Sequence, residues 1–111
     1  MGRSHWLSVL IFVVIATAPS AQAQGVLVMG RLDCGEWVEA RKGGKAVSVE
    51  HWVIGTLNGL ALGKQREFWK ANGVEVSQEA VFLWMDNYCN AHPLDLVTAG
   101  IVTLFRERVG E

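Results

Sequence analysis

The sequence predicts an all-α protein, a small four-helix disulfide-stapled bundle that follows an N-terminal signal peptide. Three observations lead to this prediction. Downstream of the N-terminal region, apolar residues recur at helical spacing. The alternation typical of β-strands is absent. One pair of cysteines, Cys34 and Cys89, follows a segment that resembles an export leader.

The leader has a basic start, an apolar core over residues 6–16 and a small-residue cleavage motif that ends at Ala23. The apolar run is too short to cross a bilayer. We therefore predict that residues 1–23 are a cleaved signal peptide. The mature protein then begins at Gln24 and resides in the periplasm.

The mature chain, residues 24–111, has 88 residues, which is enough for a single small helical domain. It carries nine Lys and Arg against eleven Asp and Glu, a net charge of −2. A balance this close to neutral argues against a nucleic-acid partner, which selects a basic surface. It also argues against adsorption to anionic lipid, so no membrane contact is expected after signal cleavage.

The two cysteines remain in the mature chain, and export places them in an oxidising compartment. An even number of cysteines there favours a Cys34–Cys89 disulfide over two unpaired thiols. The link closes a loop of about 55 residues and is expected to contribute about 4 kcal/mol. Because a domain of this size has little net stability to lose, we expect the disulfide to be indispensable.

The first predicted helix runs from about Cys34 to Lys42. Asp33 and Glu36 have the spacing of a capping box, and Gly43 follows the last helical residue. One side of this helix carries Cys34, Trp37, Val38 and Arg41.

The second predicted helix begins after Ser48 as its N-cap and continues to about Leu62. Its inward stripe consists of Val49, Trp52, Val53, Thr56, Leu57 and Leu60. Gly55, Gly59 and Gly63 lie four residues apart, and each costs about 1 kcal/mol of helix stability relative to Ala. We predict that these glycines allow another backbone to pack closely against the helix.

Residues 64–76 are polar and contain the turn signal Asn72-Gly73. The aromatic pair Phe68-Trp69 lies within this segment, among charged residues. It either folds onto the core or is exposed and meets a partner.

The third predicted helix has Ser77 as its cap and runs from Gln78 to about Asn90. Its apolar arc contains Val81, Phe82, Trp84, Met85, Tyr88 and Cys89, with Glu79, Asp86 and Asn87 opposite and Leu83 out of place. Pro93 is expected in the first turn of the fourth helix, which continues to about Val109. The residues of this helix expected to point inward are Leu94, Val97, Ile101, Leu104 and Phe105, and Arg106 and Arg108 occupy its last turn.

The sequence offers no catalytic constellation, and we predict that the protein is not an enzyme and needs no cofactor. The two mature histidines, His51 and His92, are interpreted as solvated or capping residues rather than as bases or ligands. Cys89 and His92 form a C-x-x-H fragment, but a disulfide would occupy the sulfur and no second half exists, so no metal is predicted.

Aromatic side chains are instead prominent in the mature chain. Trp37, Trp52, Trp69 and Trp84, with Phe68, either fill a compact core or line a protein-binding surface. Self-association as a homodimer would satisfy both interpretations.

The chain also resembles a known family, the periplasmic acid-stress chaperones HdeA and HdeB. The resemblance rests on Cys34 with Trp37, on Trp52-Val53-Ile54-Gly55 with Gly59, and on Tyr88-Cys89 with Pro93. It implies a mostly helical exported domain in which one disulfide joins early and late helices. The implied activity is the binding of unfolded clients at low pH, after a dimer dissociates and exposes apolar surface. Thr56 departs from the pattern, because an aromatic residue is common there.

The layout is similar to that of a second family as well, the periplasmic immunity proteins that neutralise amidase effectors of type VI secretion. These proteins resemble exported helical bundles with disulfides, and they often carry a further cysteine pair near the C-terminus. This chain ends without such a pair. The resemblance implies, as the alternative function, an immunity or inhibitor protein that binds one secreted cell-wall hydrolase.

Overall fold

The structure is a computed structural model that describes residues 29–111, together with Gly2 and Val13. The predicted signal peptide and its cleavage between Ala23 and Gln24 lie outside the described residues. Four helices and a short β-hairpin form the described part of the chain, in the order α1, α2, β1, β2, α3, α4. The all-α prediction is therefore confirmed, with a minor sheet added.

Helix α1 spans Cys34–Lys42, as the sequence predicts. The backbone N–H of Glu36 donates to the Asp33 carboxylate at 2.7 Å, and the N–H of Asp33 donates to the Glu36 carboxylate at 2.9 Å. This reciprocal pair is the capping box, which satisfies amides that would otherwise lack partners at the start of the helix. Arg41 and Lys42 lie in the last turn, where positive charge is favoured by the helix dipole.

Helix α2 spans Val47–Lys64. It begins two residues earlier than a Ser48 cap would allow, and the cap residue is Ala46, which makes no side-chain hydrogen bond. The prediction of a Ser48 cap is therefore wrong. Within the predicted inward stripe only Val53 and Leu57 are fully buried, and Val49, Trp52, Thr56 and Leu60 are half-buried.

Strands β1 (Lys70–Ala71) and β2 (Val74–Glu75) form an antiparallel hairpin around the predicted Asn72-Gly73 turn. Both turn residues have positive φ, 54° and 75°, which is the backbone that the Asn-Gly pair adopts readily in tight hairpins. The sequence predicted the turn but no strand. Each strand has only two residues, which is too short to show alternation.

Helix α3 spans Gln78–Ala91, and the Ser77 hydroxyl accepts a hydrogen bond from the N–H of Ala80, as expected of its cap. The buried residues of this helix are Val81, Phe82, Met85 and Cys89, and Leu83 is exposed.

Helix α4 spans Val97–Val109 and begins four residues after Pro93, so the predicted start is wrong. The intervening residues form a turn that pairs with the N-terminus of α1: the N–H of Cys34 donates to Asp95 O, and the N–H of Val97 donates to Leu32 O. Because Leu94 lies in this turn and not in the helix, it is 97% exposed instead of pointing inward.

The helices pack in three pairs, α1 with α3, α2 with α4, and α3 with α4. One core cluster contains the buried side chains of all four helices and of Phe68 in the segment between α2 and β1. Within the described residues, no helix is both long and apolar enough to cross a membrane.

Candidate functional site

The Cys34–Cys89 disulfide is present and joins the first residue of α1 to the last turn of α3. The two Cα atoms are 4.9 Å apart, and both cysteines are buried. The link fixes these two helices side by side, and the residues that follow Cys34 meet the residues that precede Cys89.

The predicted protein-binding surface does not form as one patch. Trp37 and Phe68 have no exposed surface, so their placement at an interface is wrong for this conformation. Trp52, Trp69 and Trp84 are half-buried. Trp69 packs edge-on against Phe68 and donates a hydrogen bond to Asn58 at 2.7 Å. Of the predicted surface, only these three tryptophans remain accessible.

The three glycines of α2 do not make the predicted close approach to any element between residues 29 and 111. A Cβ atom at Gly55, Gly59 or Gly63 would meet no atom within 4 Å, and all three residues are exposed. The close helix contact lies at Gly100 of α4, where a Cβ would come within 2.7 Å of the Tyr88 ring and 2.9 Å of the Met85 methyl group. Helices α3 and α4 can therefore pack this closely because position 100 has no side chain.

One side-chain cluster, which we call the Arg41 hub, connects α1, α2 and α3. Arg41 donates to both oxygens of Asp86, from Nε at 3.0 Å and from Nη2 at 2.9 Å. Its Nη1 donates to the Glu50 carboxylate at 3.2 Å. Trp37 Nε1 donates to Asp86 at 2.9 Å, so one carboxylate binds an indole and a guanidinium at once.

The hub lies at the boundary between core and solvent. The side chains of Arg41, Asp86 and Glu50 are 28%, 25% and 22% exposed, so solvent weakens their attraction without abolishing it. The hydrogen bond to Asp86 is the largest cause of a raised pKa at Arg41, which keeps this guanidinium charged at any working pH. Arg41 also lies over the rings of Trp37 and Phe82, at 5.7 and 5.6 Å from their centroids.

A shallow cleft of about 360 Å³ opens beside the hub. It is lined by Val38, Arg41, Lys42, Asp86 and Asn90. The polar groups of Arg41 and Asp86 are already engaged with each other, and the lining contains no nucleophile paired with a base. These residues therefore form a structural contact between α1 and α3, and its strength depends on the negative charge of Asp86.

A second carboxylate contact lies in the last turn of α3, two residues beyond Asp86. The Tyr88 hydroxyl donates to Asp95 at 2.6 Å, and this bond is the main reason why the pKa of Tyr88 is raised. A raised pKa stabilises the fold below the ordinary tyrosine range, and that contribution is lost as the pH rises through the raised value. His92 stacks on Tyr88 with ring centroids 4.4 Å apart. His51 and His92 are both exposed, as predicted.

The α2, hairpin and α4 side uses cations that bind backbone carbonyls. Arg108 donates to Phe68 O at 3.0 Å and to Val74 O at 2.9 Å, and Arg66 donates to Val109 O. The guanidinium of Arg108 lies over the ring of Phe68, 5.4 Å from its centroid. Phe68 in turn stacks on Phe105 at 5.9 Å.

Lys64 and Glu111 add an exposed ion pair at 3.0 Å on this side. The hydrogen bond from Lys64 is the largest cause of a lowered pKa at Glu111. A lowered pKa stabilises the fold above the ordinary carboxylate range, and that contribution is lost as the pH falls through the lowered value.

The sequence interpretation missed Asp86, which it placed on the polar side of α3. A usable signal was present in the spacing of the cysteines. Trp37 follows Cys34 by three residues and Asp86 precedes Cys89 by three, so antiparallel helices joined at the disulfide place them side by side. The same reasoning pairs Arg41 with Phe82, seven residues from each cysteine, as observed.

Within residues 29–111, no group of three or more His, Cys, Asp and Glu side chains is arranged to hold a metal ion. No family model, curated protein or solved structure matches the chain. The resemblances to acid-stress chaperones and to immunity proteins therefore stay predictions.

Proposed function

We propose that the mature chain is a non-enzymatic periplasmic protein that binds unfolded protein clients in acid. The observation that carries this proposal is the Arg41 hub, because α1, α2 and α3 meet there through two carboxylates, Asp86 and Glu50. Each carboxylate loses its charge when it is protonated, whereas Arg41 keeps its own.

Acid acts on this contact in two ways. Protonation of Asp86 removes the charge that attracts Arg41 and Trp37, and it leaves a cation beside two aromatic rings of the core. It also unbalances the whole mature chain, because nine Lys and Arg stay positive while eleven carboxylates become neutral. Self-repulsion then favours a looser state.

The core that would be uncovered is rich in large apolar side chains. The structure buries Trp37, Phe68, Phe82 and Phe105, and an aromatic surface of this kind binds apolar segments of other proteins. The disulfide keeps α1 and α3 together and limits how far the chain can expand. These features support a binding protein that is closed near neutral pH and open in acid.

The test is light scattering of alcohol dehydrogenase that is aggregating after acid denaturation. At pH 2 to 3, the protein in several-fold molar excess should suppress the scattering, and it should have no effect at pH 7. The Asp86→Asn variant should act at a higher pH than wild type, because it lacks the carboxylate before any acid is added. Glu79→Gln, an exposed change on the same helix, is the matched control and should keep the wild-type profile.

Scattering that is unchanged by the wild-type protein at every pH would contradict the proposal. An onset of activity that is the same in Asp86→Asn and in wild type would remove the Arg41 hub as its cause.

The half-buried tryptophans support a second candidate, an immunity or inhibitor protein with one dedicated partner. Trp52, Trp69 and Trp84 are accessible without any opening of the fold, and tryptophan is enriched at binding hot spots. This function predicts a stable complex at neutral pH with one secreted cell-wall hydrolase. A pull-down from periplasmic extract at pH 7 should recover that partner, and replacing the three tryptophans by alanine should abolish the recovery.

A further inference from the structure

Two Asn-Gly dipeptides occur in the chain, and the structure gives them different backbones. Asn58-Gly59 lies inside α2, whereas Asn72-Gly73 forms the turn of the hairpin between β1 and β2. Both residues of each dipeptide are exposed. Access of solvent therefore does not distinguish the two dipeptides, and a difference in their chemistry has to come from the backbone.

Asparagine followed by glycine can lose its side-chain amide in water. The backbone nitrogen of the glycine attacks Cγ of the asparagine, and ammonia leaves with the proton of that nitrogen, so a cyclic succinimide remains. Water then opens the ring at one of its carbonyl groups and gives either aspartate or isoaspartate, in which the main chain runs through the side chain. Glycine favours the attack because no side chain hinders its nitrogen, and asparagine is for this reason a thermolabile residue.

The helix opposes this reaction at Asn58. In an α-helix the N–H of Gly59 donates to the carbonyl four residues earlier, so the attacking nitrogen is already engaged. The attack also requires the backbone between Asn58 and Gly59 to rotate out of its helical conformation, which would break hydrogen bonds on both sides of this point. The side chain is restrained as well, because Asn58 Oδ1 accepts a hydrogen bond from Trp69 Nε1 at 2.7 Å.

The hairpin turn leaves the attacking nitrogen accessible at Asn72. Within residues 29–111, no backbone carbonyl accepts a hydrogen bond from the N–H of Gly73. A Cβ atom at Gly73 would meet nothing within 4 Å, so the space around this residue is open. Each strand has only two residues, and a hairpin this short opens at little cost in free energy. The backbone at Asn72 can therefore rotate into the reactive conformation while the helices stay packed.

We propose that Asn72 is a site of spontaneous deamidation in the folded protein, that the isoaspartate formed there releases the hairpin from α4, and that Asn58 keeps its amide. The co-reactant is water and the leaving group is ammonia, so no enzyme or cofactor is needed. The inference does not depend on the proposed function, because it involves neither a client nor acid.

Isoaspartate disrupts the hairpin because it lengthens the main chain of the turn. The present turn closes with positive φ at both of its residues, 54° and 75°, and it sets the register in which Ala71 faces Val74. One extra main-chain carbon at position 72 displaces β2 from β1. Each strand is too short to hold this register without the turn.

The hairpin covers a large side chain of the core and is bound to α4 by one arginine. Phe68, two residues before β1, has no exposed surface. Arg108 donates to Phe68 O at 3.0 Å and to Val74 O at 2.9 Å, so its guanidinium bridges the segment before β1 and the first residue of β2. The N–H of Val76 closes the hairpin by donating to Trp69 O at 2.9 Å. A displaced β2 breaks the bonds of Val74 and Val76.

Peptide mapping by mass spectrometry tests the site. The mature, disulfide-bonded protein is incubated at pH 8, and the loss of the amide is followed at each asparagine. Asn72 should deamidate at least about tenfold faster than Asn58, because only Asn58 is held in a helix. In guanidinium chloride, where the fold is lost, the two dipeptides should react at similar rates. Equal rates in the folded protein, or a faster reaction at Asn58, would overturn the proposal.

The identity of the product tests the succinimide route. Opening of the ring gives isoaspartate as well as aspartate, and isoaspartate is detected by methylation with a protein isoaspartate methyltransferase. The peptide that contains position 72 should become a methyl acceptor during the incubation. If this peptide contains aspartate alone, the ring does not form and the proposal fails.

Hydrogen exchange measured by NMR tests the release of the hairpin. The isoaspartate form is separated from the unmodified protein by ion exchange. The N–H of Val76 is the reporter, because it donates to Trp69 O, and the N–H of Met85, in the middle of α3, is the matched control. Exchange at Val76 should be at least about tenfold faster in the isoaspartate form, with no change at Met85. An unchanged Val76, or equal acceleration at both amides, would overturn the release.

Two variants separate the longer backbone from the new charge. Asn72→Gly has no amide to lose and accepts a positive φ, so its hairpin should form and Val76 should stay protected through the same incubation. Loss of that protection in Asn72→Gly would show that deamidation is not the cause. Asn72→Asp has the charge of the product on an unaltered backbone, and Val76 should exchange more slowly in it than in the isoaspartate form. Equal exchange in these two proteins would overturn the longer backbone as the cause.

Discussion

The two sides of this small bundle are held together by different kinds of bond. On one side, a disulfide and the Arg41 hub hold α1 and α3, and the hub depends on the charge of Asp86. On the other side, Arg108 holds the hairpin to α4 by donating to the carbonyls of Phe68 and Val74. A carboxylate contact changes with pH, whereas a carbonyl contact does not. The comparison teaches that an arginine can be held by a carboxylate, which acid neutralises, or by peptide carbonyls, which acid leaves unchanged; the second side has its carboxylate contact in the exposed Lys64–Glu111 pair.

Removing the disulfide should have the largest effect, because it takes away the one covalent contact of the acid-sensitive side. In the double variant Cys34→Ala with Cys89→Ala, the free energy of unfolding should fall by about 4 kcal/mol at pH 7. Urea denaturation followed by circular dichroism measures the loss, and reduced wild-type protein is the matched control. A loss below about 1 kcal/mol in both samples would show that noncovalent packing alone holds α1 to α3.

Replacing one polar side chain on each side of the bundle should give two variants whose losses of stability depend differently on pH. Asp86→Asn should lower the free energy of unfolding by about 2 kcal/mol at pH 7, since it removes hydrogen bonds to a charged acceptor. The loss should shrink in acid, because protonation removes the charge of the wild-type carboxylate as well.

Arg108→Gln should cost about 1 to 2 kcal/mol on the other side, by the same reasoning about hydrogen bonds to a charged group, and the cost should not change with pH. Urea midpoints at several pH values between 7 and 4 measure both variants. Parallel pH profiles for Asp86→Asn and Arg108→Gln would refute the distinction between the two sides.

Two glycine substitutions, one in α4 and one in α2, should have opposite signs. Gly100→Ala should destabilise the protein by about 1 to 3 kcal/mol, because a methyl group would collide with Tyr88 and Met85. Gly59→Ala should stabilise it by up to about 1 kcal/mol, because alanine favours the helix and none of the described residues has an atom within 4 Å of the added methyl group. Thermal unfolding measures both shifts.

The sign for Gly59→Ala also tests the homodimer. If this variant is less stable than wild type, a second copy packs against the glycines of α2. Size-exclusion chromatography of the wild-type protein and the variant at pH 7 would then show a dimer that the variant loses.

One contact of the Arg41 hub could be predicted from the sequence, and another could not. The cysteine pair was predicted from its setting, and the register that it imposes would have placed Trp37 beside Asp86. Glu50 could not have been assigned in the same way, because its contact with Arg41 depends on how α2 crosses α1 after the turn at Gly43 and Gly44. Such an angle follows from the packing of the whole core, which no short window of sequence contains.

By itself, the sequence determined the features that depend on neighbours within one or two helical turns. The capping box of Asp33 with Glu36, the Ser77 cap and the Asn72-Gly73 turn all join groups a few residues apart, so local geometry is sufficient to form them. Only the tertiary structure decided which glycine brings two helices together, which tryptophans remain accessible, and that Asp86 is bound and not solvated. These outcomes depend on groups far apart in the chain, such as Arg41 and Asp86, which are 45 positions apart and meet only when all four helices pack.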